Sequence, residues 1–308
     1  MFLLNNIKSV YLIIVILIIF IPSIFVIGSG YLLPQKPVIK TSDADQYISI
    51  SGSKIRYEIY KGSLTKQPSD QDKPVLILLH GFGNYKEQWG KVIPALSYHT
   101  VIGLDMIGFG GSDTPAIPYT LESQRKYLLA FMDELGIEVA ILAGISMGAS
   151  VSAWSAANSP ERIHSAIMFA PSAYPGSLSK KWPYSWLYQP GIINKFIASI
   201  THSRLYRALY PDSMGAQALD VTSSYNSSFA NALDKIKQST LIAWSTGDKT
   251  TLYQYSREYR KRIKNLSFIK LDENVGHNIL RHAPERTATI INHFLINPKQ
   301  TSISVKDN

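Results

Sequence analysis

The sequence predicts a three-layer α/β domain with a mostly parallel sheet, helices on both faces and a helical insertion near one end. Three observations predict it. Short, uniformly apolar runs recur along the chain and alternate with helical patterns, the signature of strands covered on both faces. Several of these runs lead within a few residues into glycine, histidine, aspartate or serine, the residue types that line a ligand crevice at the carboxyl ends of parallel strands. One interval, residues 172–238, breaks the alternation, shows no strong strand and reads as a helical insertion. The chain has 308 residues, 45% of them hydrophobic and 17% charged, enough for one large core with an insertion.

The first 30 residues stand apart. Met1 to Lys8 carries a single side-chain charge, Ser9 to Gln35 carries none, and Val10 to Ile21 is uninterruptedly apolar. With Ile24 to Ile27 the apolar span is near the shortest that crosses a bilayer, and Tyr31 suits the interface. A retained membrane anchor is the leading reading, with the following domain facing outward. A signal peptide cleaved near Gly28-Ser29-Gly30, leaving a secreted protein, competes with it. Residues 31–45, with Pro34 and Pro37, read as a tether.

From there the elements follow in order. Tyr47–Ile50 and Ile55–Tyr60 read as a hairpin around Ser51-Gly52-Ser53. Val75–Leu79 and Thr100–Leu104 read as buried strands. Residues 119–135 form a helix ended by Gly136, with Leu128, Leu129, Met132 and Leu135 at helical spacing. Val139–Ala143 is the next strand, and Ala149–Ala157 a helix of small residues. Ile163–Ala170, Thr240–Ser245 and Leu266–Leu271 are further strands, and Pro284–Ile296 is a closing amphipathic helix. The core is therefore expected over 46–171 and 239–298, interrupted by a helical cap over 172–238, with a frayed tail over 299–308. Within the cap, residues 192–209 read as one or two helices and 227–236 as another. The aromatics Trp182, Trp186 and Tyr188 are candidate pocket residues, although they also suit the insertion's own core.

Composition closes off several chemistries. No cysteine is present, so disulfides, thiolate metal sites and a cysteine nucleophile are excluded. The excess of 31 Lys and Arg over 22 Asp and Glu gives +9. These charges are scattered, and the dense run Tyr259-Arg260-Lys261-Arg262 suits a solvated helix face better than a nucleic-acid site. The histidines lack close ligand spacing, so no metal is expected. No G-x-G-x-x-G follows the first buried strand, so no dinucleotide cofactor is expected either.

The chemistry concentrates at Gly144-Ile145-Ser146-Met147-Gly148. A G-x-S-x-G turn between a buried strand and a helix exposes the serine hydroxyl at the corner. His80-Gly81-Phe82-Gly83 follows one strand and Asp105 to Ser112 another. Asp248 follows a third, and His277 the last. Serine attack needs a neutral imidazole to take the hydroxyl proton, which His277 can supply, and a carboxylate on its far nitrogen, which Asp248 can supply. Asp272 and Glu273 compete for the acid role but leave from the same strand as His277. The backbone N–H groups of Phe82 and Met147 are the candidate oxyanion donors. His80 reads as a hydrogen bonder beneath that loop, and Asp105 as a residue that pins its own.

These motifs resemble the α/β-hydrolase family, and most of all its serine esterase and lipase-like branch: H-G-x-G, D-x-x-G-x-G-x-S, G-x-S-x-G and a closing G-H, spanning about residues 47–295. The resemblance implies Ser146 as nucleophile, Asp248 as acid, His277 as base, Phe82 and Met147 as oxyanion donors, and 172–238 as the family's cap. Three departures stand out. Ser245-Thr246-Gly247-Asp248 lacks the usual earlier glycine and following proline, Ala149 replaces a common third glycine, and the N-terminal apolar segment is additional. Relatives that open epoxides or remove halides use aspartate where this chain has Ser146. The expected function is hydrolysis of carboxylic esters with apolar acyl groups, with a lipid ester or other small molecule as substrate. The same constellation also serves carbon–carbon hydrolases, amidases and haloperoxidase-like enzymes, and a non-catalytic ligand-binding member is the remaining alternative.

Overall fold

The computed structural model describes residues 33–61, 74–97, 100–180 and 192–298. The N-terminal apolar segment and the aromatics Trp182, Trp186 and Tyr188 lie outside them. Among the described residues no helix is long and apolar enough to cross a membrane.

Eight strands form one sheet: β1 (Gln46–Ile50), β2 (Ser53–Lys61), β3 (Val75–Leu79), β4 (Thr100–Leu104), β5 (Ala140–Ile145), β6 (Ile163–Phe169), β7 (Ser239–Ser245) and β8 (Leu266–Leu271). Their spatial order is β1-β2-β4-β3-β5-β6-β7-β8. The first two strands pair antiparallel, β2 is antiparallel to β4, and every later pairing is parallel. Ser51 and Gly52 both take positive φ (50° and 78°), the backbone that a two-residue hairpin requires. In β3 four of the five residues are buried and in β5 all six are, which is why neither shows the polar alternation of a one-sided sheet.

Strand β3 has β4 on one side and β5 on the other. The chain thus leaves β3 in one direction and later returns to its opposite edge. The loops after β3 and β5 diverge at this switch point and open a crevice.

The helices are α1 (Leu121–Glu134), α2 (Met147–Asn158), α3 (Ile192–Thr201), α4 (Arg204–Leu209), α5 (Gly215–Ser223), α6 (Ser227–Leu233), α7 (Ser256–Arg262), α8 (Ile279–His282) and α9 (Pro284–Ile296). Helix α1 starts at Thr120, whose side chain accepts from the Ser123 N–H, and is followed by Gly136 at φ 67°. Helices α3 to α6 form the insertion between β6 and β7. The expected 192–209 segment is two helices, because Ser203 caps α4 by accepting the Tyr206 N–H. Helix α5 was not expected: Gly215 at its start and the run Asp220-Val-Thr-Ser weaken its helical pattern. The basic run of residues 260–262 lies on α7, where Tyr259 turns inward and is fully buried.

The stretch read as a tether is held at both ends. Leu33 is buried against Ile197, Tyr206, Ala218 and Leu219 of the insertion. Pro34 and Asp212 accept N–H bonds from Met214 and Lys36, at 2.6 and 2.7 Å. Asp45 pairs with Arg56 (2.8 Å) and Lys86 (2.9 Å). Arg56, itself fully buried, also pairs with Glu87 (2.5 Å) and Asp105 (3.0 Å).

The tightest packing lies between α2 and the sheet. A Cβ on Gly144 would sit 2.3 Å from the Gly148 backbone, and one on Gly148 would sit 2.3 Å from the Leu79 carbonyl oxygen. Neither contact can be relieved by a side-chain rotation. Gly148→Ala is therefore expected to destabilise the fold by about 3 kcal/mol or more, at the upper end for overpacking, and urea unfolding of the two proteins measures it.

Candidate active site

Strand β5 ends at Ile145 and α2 begins at Met147, leaving Ser146 alone to turn the chain. It does so at φ 54°, ψ −113°, a strained conformation for a residue with a side chain. Its N–H donates to the Phe169 carbonyl on β6 (2.9 Å), and its carbonyl accepts the Ser150 N–H in the first turn of α2 (3.0 Å). The corner is thereby fixed from both sides.

Ser146 lines a cavity of about 240 Å³ together with Gly81, Phe82, Gln88, Tyr225 and His277, among others. The His80–Gly83 loop supplies one wall, α5 and Tyr225 the roof, and the β7 and β8 exit loops the far side.

His277 stands two residues beyond a short 3₁₀ turn (Glu273–Val275), after Gly276 at φ 62°. Its Nδ1 lies 2.8 Å from Asp248 Oδ2. The Asp248 carboxylate has no exposed side-chain surface and is fully engaged. Oδ1 accepts the N–H groups of Thr250 (2.8 Å) and Thr251 (2.9 Å), and Oδ2 accepts the Thr251 hydroxyl (2.8 Å). An ionised carboxylate only accepts, so Nδ1 of His277 must carry the proton and Nε2 is left with its lone pair. Nε2 can then accept a proton from a hydroxyl in the cavity, and the buried carboxylate stabilises the resulting cation.

The competing acids are placed elsewhere. Asp272 pairs with Arg286 (2.7 Å) at the surface, and Glu273 is exposed. His282 uses Nδ1 to donate to the Val275 carbonyl (2.9 Å), bracing the loop that carries His277.

Phe82 lines the cavity, and Met147 is the first residue of α2, where a backbone N–H has no intrahelical acceptor. The loop before Phe82 is held from two directions. The Gly81 N–H donates to Gln88 Oε1 (2.8 Å). Beneath it His80, fully buried, contacts the Gly81 carbonyl through Nδ1 (2.7 Å) and accepts the Met106 N–H at Nε2 (3.0 Å). That pattern requires the Nδ1–H tautomer, so His80 joins the loops after β3 and β4 and is no base. Asp105 accepts the N–H groups of Lys86 (2.6 Å) and Gly111 (2.7 Å) and so pins both loops.

The structure thus brings Ser146, His277 and Phe82 to one cavity and Asp248 behind His277. Gln88, Thr251 and Tyr225 are additional. Thr251 had a readable signal, since Asp-x-Thr-Thr is suited to an aspartate that accepts N–H bonds two and three residues on. Gln88 and Tyr225 had none.

The chain is similar to several known proteins. A family model described as alpha/beta hydrolase fold matches residues 74–209, and the chain has that fold, with the helical insertion in the position of a cap domain. A membrane phospholipase A, described as a bacterial virulence factor, superposes with a TM-score of 0.65 at 22% identity, covering 97% of this chain and 99% of that one. The monoacylglycerol lipase ABHD6 of Bos taurus is 23% identical over 82% of this chain and 84% of its own length. The dihydrolipoyllysine-residue acetyltransferase component of the acetoin cleaving system of Cupriavidus necator is 30% identical over 42% of this chain, which spans only 33% of that protein. A meta-cleavage product hydrolase and a haloalkane dehalogenase are also among the matches, so the fold accommodates several chemistries.

Burial holds the pKa of His80 below the ordinary histidine value. The unfolded chain therefore takes up a proton that the folded chain refuses, and stability is expected to fall as pH drops below ~6.5. This group contributes at most ~1.4 kcal/mol per pH unit. Urea unfolding between about pH 7 and pH 5 measures the slope, which should be shallower in His80→Asn.

Proposed function

We propose that the chain is a serine hydrolase of carboxylic esters, with Ser146 as nucleophile, His277 as base, Asp248 as its orienting acid, and the Phe82 and Met147 N–H groups as the oxyanion donors. The 2.8 Å contact between His277 Nδ1 and the buried Asp248 carboxylate carries the proposal. It prepares the opposite nitrogen to receive a proton in the cavity that holds the Ser146 hydroxyl. A serine at the elbow favours ester chemistry over that of the dehalogenase-like relatives, which the resemblance expects to carry aspartate there.

In this mechanism His277 takes the Ser146 proton as Oγ attacks the ester carbonyl. The tetrahedral oxyanion is held by the two N–H donors, and the proton passes from His277 to the departing alcohol. Water then repeats the sequence on the acyl-enzyme, with His277 again as base, releasing the acid and restoring Ser146. Phe82, Leu178 and Val221 supply the apolar surface of the described cavity wall, and the Trp182, Trp186 and Tyr188 stretch is the further candidate wall for an acyl chain. The monoacylglycerol lipase and membrane phospholipase names of similar proteins support a lipid ester, and residues 1–30 as a retained anchor would keep the enzyme beside such substrates, with the catalytic domain outside the cytoplasm.

Ser146→Ala is expected to lower kcat on p-nitrophenyl esters by about 10⁴-fold or more and to abolish labelling by a fluorophosphonate probe. Persistent turnover in that variant overturns the mechanism. Removing the Thr251 hydroxyl deletes a bond to a charged group worth about 1.5–3 kcal/mol. Thr251→Val should accordingly lose roughly tenfold in kcat, while KM stays close to its original value. If an apolar wall receives the acyl chain, kcat/KM should rise by about tenfold or more from the acetyl to the hexanoyl ester, given ~0.8 kcal/mol per buried methylene.

A further inference from the structure

We infer that the cap presents a second membrane-contacting surface, in which helix α4 and the segment after Leu33 dock on the lipid bilayer. The inference rests on residues 1–30 being a retained anchor, as proposed above.

Chain length sets the first constraint. The apolar span ends at Ile27, and Leu33 is already buried in the cap against Ile197, Tyr206, Ala218 and Leu219. Six residues reach at most ~20 Å even when fully extended, so the cap cannot stand away from the membrane that holds the anchor. Gln35 also bridges antiparallel to Ser213, and together with the Pro34 and Lys36 backbone bonds this fastens the segment to the loop between α4 and α5.

The surface chemistry beside this seam is the second, independent observation. Of the six large hydrophobic side chains that are exposed among the described residues, three lie on these two segments: Val38 (95%), Leu205 (70%) and Leu209 (56%). Leu205 and Leu209 are four apart on α4 and so share one face of the helix. Lys40, Arg204 and Asp212 are exposed on the same two segments, whereas Lys36 turns inward to the Thr114 hydroxyl and Arg207 to the Pro115 carbonyl. Exposed leucines on one helix face, with Arg204 beside them, suit an interfacial element that buries its apolar face at the headgroup boundary of a bilayer.

The docked face is coupled to the site. Helix α5 packs Ala218 and Leu219 on Leu33, while its Val221 and Thr222 line the Ser146 cavity. One helix therefore joins the membrane-facing seam to the roof of the pocket.

The absence of native cysteine permits a direct test with the full-length chain. Single cysteines replacing Leu205 or Leu209, and Glu138 or Lys264 as controls at the opposite ends of β5 and β8, are labelled with an environment-sensitive fluorophore. The proteins are reconstituted into vesicles of phosphatidylcholine and phosphatidylglycerol. Brominated lipid should quench the labels at 205 and 209 about twofold or more beyond the controls, as expected for a face at the headgroup boundary. Quenching at 205 and 209 by aqueous iodide to the control level would show that the cap is free in water and overturn the inference. Protection from both quenchers would place protein, such as a second copy, on this face and overturn it equally. A chain that fails to float with the vesicles removes the anchor itself, a failure distinct from that of the cap and from loss of esterase activity on a soluble ester.

Discussion

The structure depends on how closely the start of α2 lies against β3 and β5. Gly148 stands where a Cβ would meet the Leu79 carbonyl at 2.3 Å, and Gly144 where one would meet Gly148. With no side chains between them, the helix enters the sheet layer directly and the reversal is left to a single residue. Ser146 accepts that role at positive φ, a conformation that costs of order 1–3 kcal/mol. The buried face of α2, including Ala149, Val151, Ala153 and Ala156, offsets it. The strain and the exposed hydroxyl have one origin: a helix packed too close for any gentler turn.

A second set of interactions keeps the opposing loops in register with that corner. Arg56 on β2 and Lys86 after the His80–Gly83 loop are both almost fully buried and share Asp45, Glu87, Glu58 and Asp105 among them. Asp105 extends the network to the Lys86 and Gly111 backbones, and His80 ties Gly81 to Met106. Buried charges of this kind are a poor source of net stability, but removing one partner strands the others at a cost of about 3–5 kcal/mol. Their consequence here is positional, because loops from β2, β3 and β4 can adopt only one mutual arrangement.

Much of this was legible in the residues. The buried strands announced themselves because a strand covered on both faces cannot alternate, and Val75–Leu79 and Thr100–Leu104 fall where their apolar runs do. The histidine and acid were legible through their position after strands, and Asp248 rather than Asp272 meets His277 because the neighbouring strand exit approaches the ring from behind. Helix α5 was missed, since polar and β-branched residues blur its period and its stability comes from Leu33, far away in sequence. Gln88 and Tyr225 were missed for a related reason: each acts through a partner that only folding brings near.

The sequence by itself determined the strand and helix order, the sharp turn at Ser146 and the residue types around it, because periodicity, glycine tolerance and strand-end placement are local properties. Tertiary structure alone decided which acid faces His277, which tautomer His80 holds, how residues 33–36 are stitched to the cap, and which side chains roof the cavity. Those are contacts between segments tens to more than a hundred residues apart, and their geometry exists only once the sheet has set the loops side by side.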